Sequence, residues 1–223
     1  RGRIAGIIAK RTQESKQTVP HFYMSRMVTM TKAVELRDYF RRTKPDEKPP
    51  TITDIIVRAA ALAVLDLPWA NVVSSSGGPE MRQGIDIGVV VKTDAGLSIP
   101  VVRSADRKPL PNVSAELRRL AAKAREGRLS PDETGSKTMT ISNAGMYGVD
   151  IMYPIIDMPD ALICGVGALR ENAVPTTSGI QAVPQLMLSL SVDHRVFDGA
   201  DAGRILEAMA LRIEQPFEIV GVA

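Results

Sequence analysis

Two short runs carry residues able to do chemistry. In SVDHRVFDGADAG, residues 191–203, His194 and Asp198 stand four apart and Gly199 follows; the whole chain has only two histidines. Imidazole titrates near neutrality, so His194, between an apolar segment and a helical one, is placed to act as a general base. Glycine after Asp198 would permit a turn that other residues resist, and a helix starting there would aim backbone N–H groups at the same corner. The same residues could equally be a buried imidazole tying down a turn, and HxxxDG alone does not choose between the two. The second run is TMTISNAGMYG, residues 138–148. Ser142 at its strand end could donate a hydrogen bond to a developing oxyanion, with the glycines allowing close backbone approach. It also reads as an ordinary polar strand end before a glycine turn.

The elements around these runs follow from periodicity. Residues 3–17 have helical spacing of Ile4, Ile7 and Ile8, and Pro20 ends them. HFYMSRMVTM alternates as a strand, TKAVELRDYFRR is an amphipathic helix, and KPDEKPP is a surface loop. TDIIVRAAALAVLDLP predicts a mostly buried helix with Thr53 as its N-cap and Pro68 beyond its end. SSSGGPEMRQG is hairpin-like, and IDIGVVVKT and LSIPVVRS pair across TDAG. NVSAELRRLAAKAREG is a helix with Gly127 as its stop. TMTISN, ALICGVGAL and VPQLMLSLSV are strands, and ADAGRILEAMALRIEQP is the closing helix. Helices fall mostly early and strands mostly late, which predicts an α+β sheet with helices packed on it. No linker interrupts residues 1–223, so they read as a single domain.

Bulk properties narrow the classes. With 223 residues the chain can bury a sizeable core, and 44% hydrophobic with 24% charged residues is ordinary for a globular protein. The net charge of +3 arises from 28 basic and 25 acidic residues mixed along the chain, without the dense basic block of a nucleic-acid binder. The single cysteine, Cys164, cannot form an internal disulfide, which fits a reducing compartment. No apolar run is long enough to predict a membrane span. The opening RGRIAGIIAK lacks methionine and a signal-peptide pattern, and reads as part of a longer protein. ICGVGALREN lacks the third glycine and the following acidic residue of a dinucleotide site.

Taken together, DHRVFDGA, TISNAGMYG and SKQTVPHFY resemble the catalytic domain of the dihydrolipoamide acyltransferases, the core components of 2-oxo acid dehydrogenase complexes. The similarity runs from RIAGIIAKR through GLSIPVVRSADRK to the final helix. It implies a chloramphenicol acetyltransferase-like mixed sheet flanked by helices, in a trimer. The chain departs from the family's pattern in three places. TGSKT stands where a glycine pair is common, IIDMPD where asparagine-proline-proline is usual, and RSAD in place of Arg-Asp-Ala-Asp. These stretches belong to the family's substrate-facing half.

The resemblance implies acyl transfer, with acetyl the leading choice and succinyl or branched-chain acyl the alternatives, between dihydrolipoamide and coenzyme A. His194 would take the proton from the coenzyme A thiol and Ser142 would hold the oxyanion as a donor, with no acyl-enzyme. Asp198, which relatives replace by asparagine, would orient the loop through an ion pair with Arg195 or an N-terminal arginine, or else touch the chemistry. No metal enters this reading. Arg26, Lys92 and Arg103 could reach coenzyme A phosphates, although a solvated role is the commoner one for such side chains. His21 fits packing or channel lining as well as catalysis and stays outside the catalytic set.

The implied partners are two further copies in a homotrimer, with His194 facing a neighbour's Ser142, then a cubic or icosahedral core, the decarboxylase and dihydrolipoamide dehydrogenase. Lipoyl and peripheral-subunit-binding domains are expected upstream, and neither nucleic acid nor membrane is an expected partner. The expected location is bacterial cytoplasm, or else the mitochondrial matrix. Two rival functions are an acetylase of a small hydroxylated compound and a non-catalytic scaffold; the presence of His194 argues against the second.

Overall fold

The computed structural model describes residues 2–75, 77–177 and 179–221, and side chains from residue 6 onward. In chain order the elements are α1 (Gly2–Thr18), β1 (His21–Thr29), α2 (Thr31–Thr43), α3 (Ile52–Asp66), β2 (Val72–Ser75), β3 (Gly78–Met81) and β4 (Ile87–Val89). Then follow β5 (Val91–Thr93), β6 (Gly96–Ser98), β7 (Val101–Val102), α4 (Leu110–Arg125), β8 (Met139–Asn143), β9 (Leu162–Val166), β10 (Arg170–Thr176), β11 (Gly179–Asp193) and α5 (Gly199–Glu214).

One sheet runs β1-β11-β9-β8-β4-β7, with β10 paired to the first half of β11. β4, β8 and β9 are mutually parallel and the remaining pairs antiparallel. Alternation decides its two faces, because successive side chains of a strand point to opposite sides. Val28, Ile87, Met139, Ile141, Leu162, Cys164, Val166 and the even-numbered leucines of β11 join α2, α3, α4 and α5 in one buried apolar cluster. The opposite face carries Tyr23, Ser25, Thr138, Thr140, Ser142, Gly165, Ser189, Ser191 and Asp193, whose rows follow from the register.

The N-cap of α3 is Thr51, not Thr53. Thr51 Oγ1 accepts from Asp54 N–H and the Asp54 carboxylate accepts from Thr51 N–H, a capping box that needs its acid three residues after the cap. Thr53 Oγ1 instead accepts a bond from Asn143 at 2.9 Å, tying α3 to the end of β8. The two expected paired strands each break in two. β4 pairs β7 in the main sheet, and β5 and β6 form a hairpin outside it. β10 was not expected: its REN run lacks the β-branched, alternating signature of a strand. Gly127 has φ +67, the left-handed conformation that suits a glycine past a helix end. No helix among the described residues is long and apolar enough to cross a membrane.

Candidate active site

Three pieces of chain cover part of the polar face of the sheet: α1, the β5–β6 hairpin and the segment 152–159. Between them lies a cavity of about 600 Å³ whose wall includes Arg11, Ile99, Lys137, Ser142, Asp157 and Ile163. Ser142 reaches it because Thr138, Thr140 and Ser142 occupy alternate positions and share one face. Two of these hydroxyls are committed. Thr138 donates to Asn71 Oδ1 at 2.8 Å, and Thr140 to Asp160 Oδ2 at 2.9 Å. Nothing among the described residues bonds the Ser142 hydroxyl. The next side chain, Asn143, is clamped from both ends, donating to Thr53 and accepting from Gly145 N–H at 2.8 Å. The end of β8 is thus fixed while its serine stays available.

The segment 152–159 is pinned at Ile156. His21 Nδ1 donates to Val19 O at 2.9 Å, which leaves Nε2 to accept from Ile156 N–H at 3.1 Å. Ser15 Oγ donates to Ile156 O at 2.6 Å. Both histidine nitrogens are therefore used in holding backbone. Ser189 donates to Met152 O, and a side chain at Gly165 would come 2.5 Å from that same oxygen, so only glycine lets the segment lie this close.

His194 occupies a different place. It follows β11 at an exposed turn, its N–H bonded to Pro20 O at 3.1 Å and its ring packed on Phe22 with centroids 4.6 Å apart. Phe22 belongs to the helix-covered face, whereas Ser142 belongs to the other. Ser142 pairs with Gly165 and Gly165 with Ser189, five residues before His194. Two strand spacings and five residues of rise put Cα atoms about 10 Å apart across the sheet and about 17 Å apart along it. One chain does not bring His194 and Ser142 together.

Asp198 is the N-cap of α5. Its Oδ1 accepts from Asp201 N–H at 2.9 Å, and Asp201 answers by accepting from Asp198 N–H at 3.3 Å. The expected ion pair with Arg195 does not form, because that guanidinium grips Asp193 at 2.7 and 2.9 Å and touches Ser74 at 3.2 Å. Burial works against the Asp193 charge, but the Arg195 bonds outweigh it and hold the carboxyl below its usual range. Of the N-terminal arginines, the side chains of Arg1 and Arg3 lie outside those described, and Arg11 pairs with Asp157 at 3.1 Å. Gly199 is the first residue of α5, with open space around it and no left-handed φ, so no turn there demands glycine.

Among the candidate phosphate contacts, Arg103 is bound to Asp86 at 3.0 Å and to three carbonyls of the 132–136 loop. Lys92 stands 5.9 Å over the Tyr147 ring. Cys164 is buried and its thiol is pushed up to about 12, far from thiolate at neutral pH.

Motif reading passed over Lys137, Asp157 and Asp160. The Lys137 ammonium bonds Asp157 at 2.8 Å and Asp160 at 3.1 Å, so two of the departures from the family pattern, TGSKT and IIDMPD, meet in space. Burial pushes Asp160 up to about 6 against the pull of Lys137 and Thr140. The opposite charges in the two departing stretches were the available signal.

Comparison with known proteins gives a consistent picture. The family model described as 2-oxoacid dehydrogenases acyltransferase (catalytic domain) matches residues 2–220. The dihydrolipoyllysine-residue acetyltransferase component of the pyruvate dehydrogenase complex from Rickettsia bellii (strain RML369-C) is 38% identical over 215 residues, covering 96% of this chain and 51% of that protein. The chain thus spans about half the length of the curated relatives it matches. A crystal structure of Azotobacter vinelandii dihydrolipoamide acetyltransferase, used to investigate a serine, a histidine and an asparagine in its catalytic mechanism, superposes with TM-score 0.92 at 28% identity. That match covers 97% of this chain and 90% of the other. A chloramphenicol acetyltransferase shares the fold, with TM-score 0.51 at 12% identity over 92% of each chain.

Proposed function

The chain belongs to the 2-oxoacid dehydrogenase acyltransferase (catalytic domain) family, and from that premise we propose that it transfers an acyl group, acetyl, between a dihydrolipoyl group and coenzyme A. One observation carries the assignment of residues. The serine, histidine and asparagine investigated in the Azotobacter vinelandii enzyme stand 52 and 4 residues apart, the separations of Ser142, His194 and Asp198 here. Aspartate in place of the asparagine retains an oxygen able to cap α5.

The chemistry follows from the groups present. An ordinary thiol has a pKa of about 8.5 and is mostly protonated at neutral pH. Imidazole taking its proton as the sulfur attacks avoids forming a free thiolate first. His194 accepts the proton of the coenzyme A thiol, the sulfur adds to the acyl carbon of the acyl-dihydrolipoyl thioester, and the carbonyl oxygen becomes an oxyanion. The uncommitted Ser142 hydroxyl donates to that oxygen. Collapse breaks the bond to the lipoyl sulfur, which recovers the proton from His194. No covalent enzyme intermediate is required.

Because His194 and Ser142 stand on opposite faces of one chain's sheet, the working site joins His194 of one chain to Ser142 of the next. A closed trimer repeats that pairing three times by symmetry. Such trimers build the core on which decarboxylase, dihydrolipoamide dehydrogenase and the lipoyl-bearing segment act. The test is complementation. Ser142→Ala and His194→Ala proteins are each expected to lose activity by about 10²–10³-fold. When the two are co-assembled, interfaces pairing an intact histidine with an intact serine should restore a substantial fraction of wild-type turnover. Absence of restoration in verified mixed trimers ends the shared site, and full activity in His194→Ala ends the assignment of the base.

A further inference from the structure

We propose that Lys137, held between Asp157 and Asp160, sets acyl-group specificity in the Ser142 cavity, which admits an uncharged acyl chain and turns away one ending in a carboxylate. The proposal rests on the acyl-transfer reading above and adds to it the residues that choose the acyl group.

Geometry puts the lysine ammonium about an acyl chain's length from a carbonyl held at Ser142. Lys137 precedes β8, and its chain runs forward over Gly88, the β4 partner of Thr140. A Cβ at Gly88 would lie 2.5 Å from Lys137 Cδ and 2.8 Å from Cε, so the glycine makes the groove in which the lysine lies. Its ammonium ends 3.1 Å from Asp160 Oδ2, the oxygen that also accepts from Thr140 at 2.9 Å. It therefore sits level with Thr140, two residues from Ser142 on the same face, or about 7 Å along the strand. A four-carbon dicarboxylic acyl group with its thioester carbonyl at Ser142 carries its far oxygens to about that distance, once a hydrogen bond is added.

The charge there is already spent within the protein. Lys137 meets Asp157 at 2.8 Å and Asp160 at 3.1 Å, and Arg11 meets Asp157 at 3.1 Å. Two cations face two carboxylates, and the lysine side chain is only 3% exposed. An incoming carboxylate would give up water and find Asp157 beside every cation it could use. An acetyl group loses nothing, since Ile99 and Ile163 supply apolar wall alongside.

The experiment compares kcat/KM for acetyl- and succinyl-coenzyme A with dihydrolipoamide in assembled wild type, Asp157→Asn and Lys137→Met. Wild type should favour acetyl by about tenfold or more. Asp157→Asn leaves Lys137 and Arg11 with one carboxylate between them and should raise the succinyl-to-acetyl ratio by about tenfold, the worth of a hydrogen bond to a charged group. Lys137→Met should not raise it. Asp160→Asn makes the same prediction and replaces Asp157→Asn if that variant fails to assemble. Equal use of both donors by wild type, or an unmoved ratio in both assembled aspartate variants, overturns the proposal. If wild type transfers neither group, the acyl-transfer reading itself falls. Calorimetric affinities of the two acyl-coenzyme A compounds for the same proteins then decide the cluster's part: the same ordering upholds it and equal affinities overturn it.

Discussion

On β8, Met139 and Ile141 point into the helix-covered core while Thr140 and Ser142 point the other way, as does Thr138 just before the strand. The same contrast repeats on β11, where Leu188, Leu190 and Val192 are core and Ser189, Ser191 and Asp193 are not. One face holds by dispersion and exclusion of water, forces without direction. The other depends on hydrogen bonds made one at a time, to Asn71, Asp160, Met152 and Arg195. An exception on the first face leaves a cavity. On the second, Ser191 Oγ is sealed in without a partner among the described residues, whereas the unbonded Ser142 hydroxyl faces the cavity and is free to act.

Adjacent residues test this division most sharply. Ile141 is 0% exposed, and Ile141→Ala should cost about 2–5 kcal/mol in denaturant unfolding. Ser142→Ala, one residue on, should cost less than about 0.5 kcal/mol of stability, since it breaks no bond within the chain. It should nonetheless add about 2.7–4 kcal/mol to the barrier for acyl transfer. If Ser142→Ala destabilises as much as it slows, the serine is structural and the two faces do not differ in kind.

This division also explains what the sequence revealed. The apolar face is legible because every second residue of β8, β9 and β11 is apolar, a pattern that survives any error in element ends. The strand breaks at Val90 and the cap at Thr51 were not, since they depend on tertiary partners and on an acid at one exact offset. The motifs marked Ser142 and His194, yet no periodicity could say that the serine stands on the polar face and the histidine beside Phe22 on the other side of the sheet. Arg195 is one of the partners expected for Asp198, but that arginine has a nearer, buried claimant in Asp193. Lys137 escaped notice because its partners lie 20 and 23 residues away, in a segment with no regular structure.

Two aspartates of the polar face should respond to acid with opposite signs. Asp160, raised to about 6 from 3.8, holds its proton more tightly folded than unfolded. Its contribution is therefore greatest below about pH 4 and is lost as pH rises to about 6. Wild-type stability relative to Asp160→Asn should fall by the order of 1–3 kcal/mol between pH 4 and pH 7. Asp193, held below its usual range, stabilises above its unfolded pKa and loses that contribution as pH falls through its folded pKa. Unfolding curves at several pH values for wild type, Asp160→Asn and Asp193→Asn check both slopes, and a flat difference for Asp160→Asn would mean that Lys137 and Thr140 fully offset the cost of its burial.

Arg195 links the two regions, since its fork on Asp193 fixes the residue just before His194. Removing it by Arg195→Ala leaves a fully buried carboxylate without its guanidinium. The expected cost is about 1–3 kcal/mol, below that of a wholly buried pair because the arginine is 47% exposed. Turnover should fall with it through displacement of the His194 turn, and Arg195→Lys should recover only part of both, lacking the planar fork.

The smallest effect separates a cap from a catalyst at Asp198. Its carboxylate accepts from Asp201 N–H and is no part of the cavity wall, so its work is to start α5 just beyond the His194 turn. Asparagine caps helices about as well as aspartate, whereas alanine costs about 1 kcal/mol. Asp198→Asn should therefore match wild type in stability, while Asp198→Ala should unfold earlier by that amount. Activity should track the cap: nearly unchanged for asparagine and reduced a few-fold for alanine. A fall of tenfold or more in Asp198→Asn at unchanged stability would require the charge itself, and Asp198 would then belong with His194 and Ser142 in the chemistry and not with Asn143 and His21 among the groups that hold backbone in place.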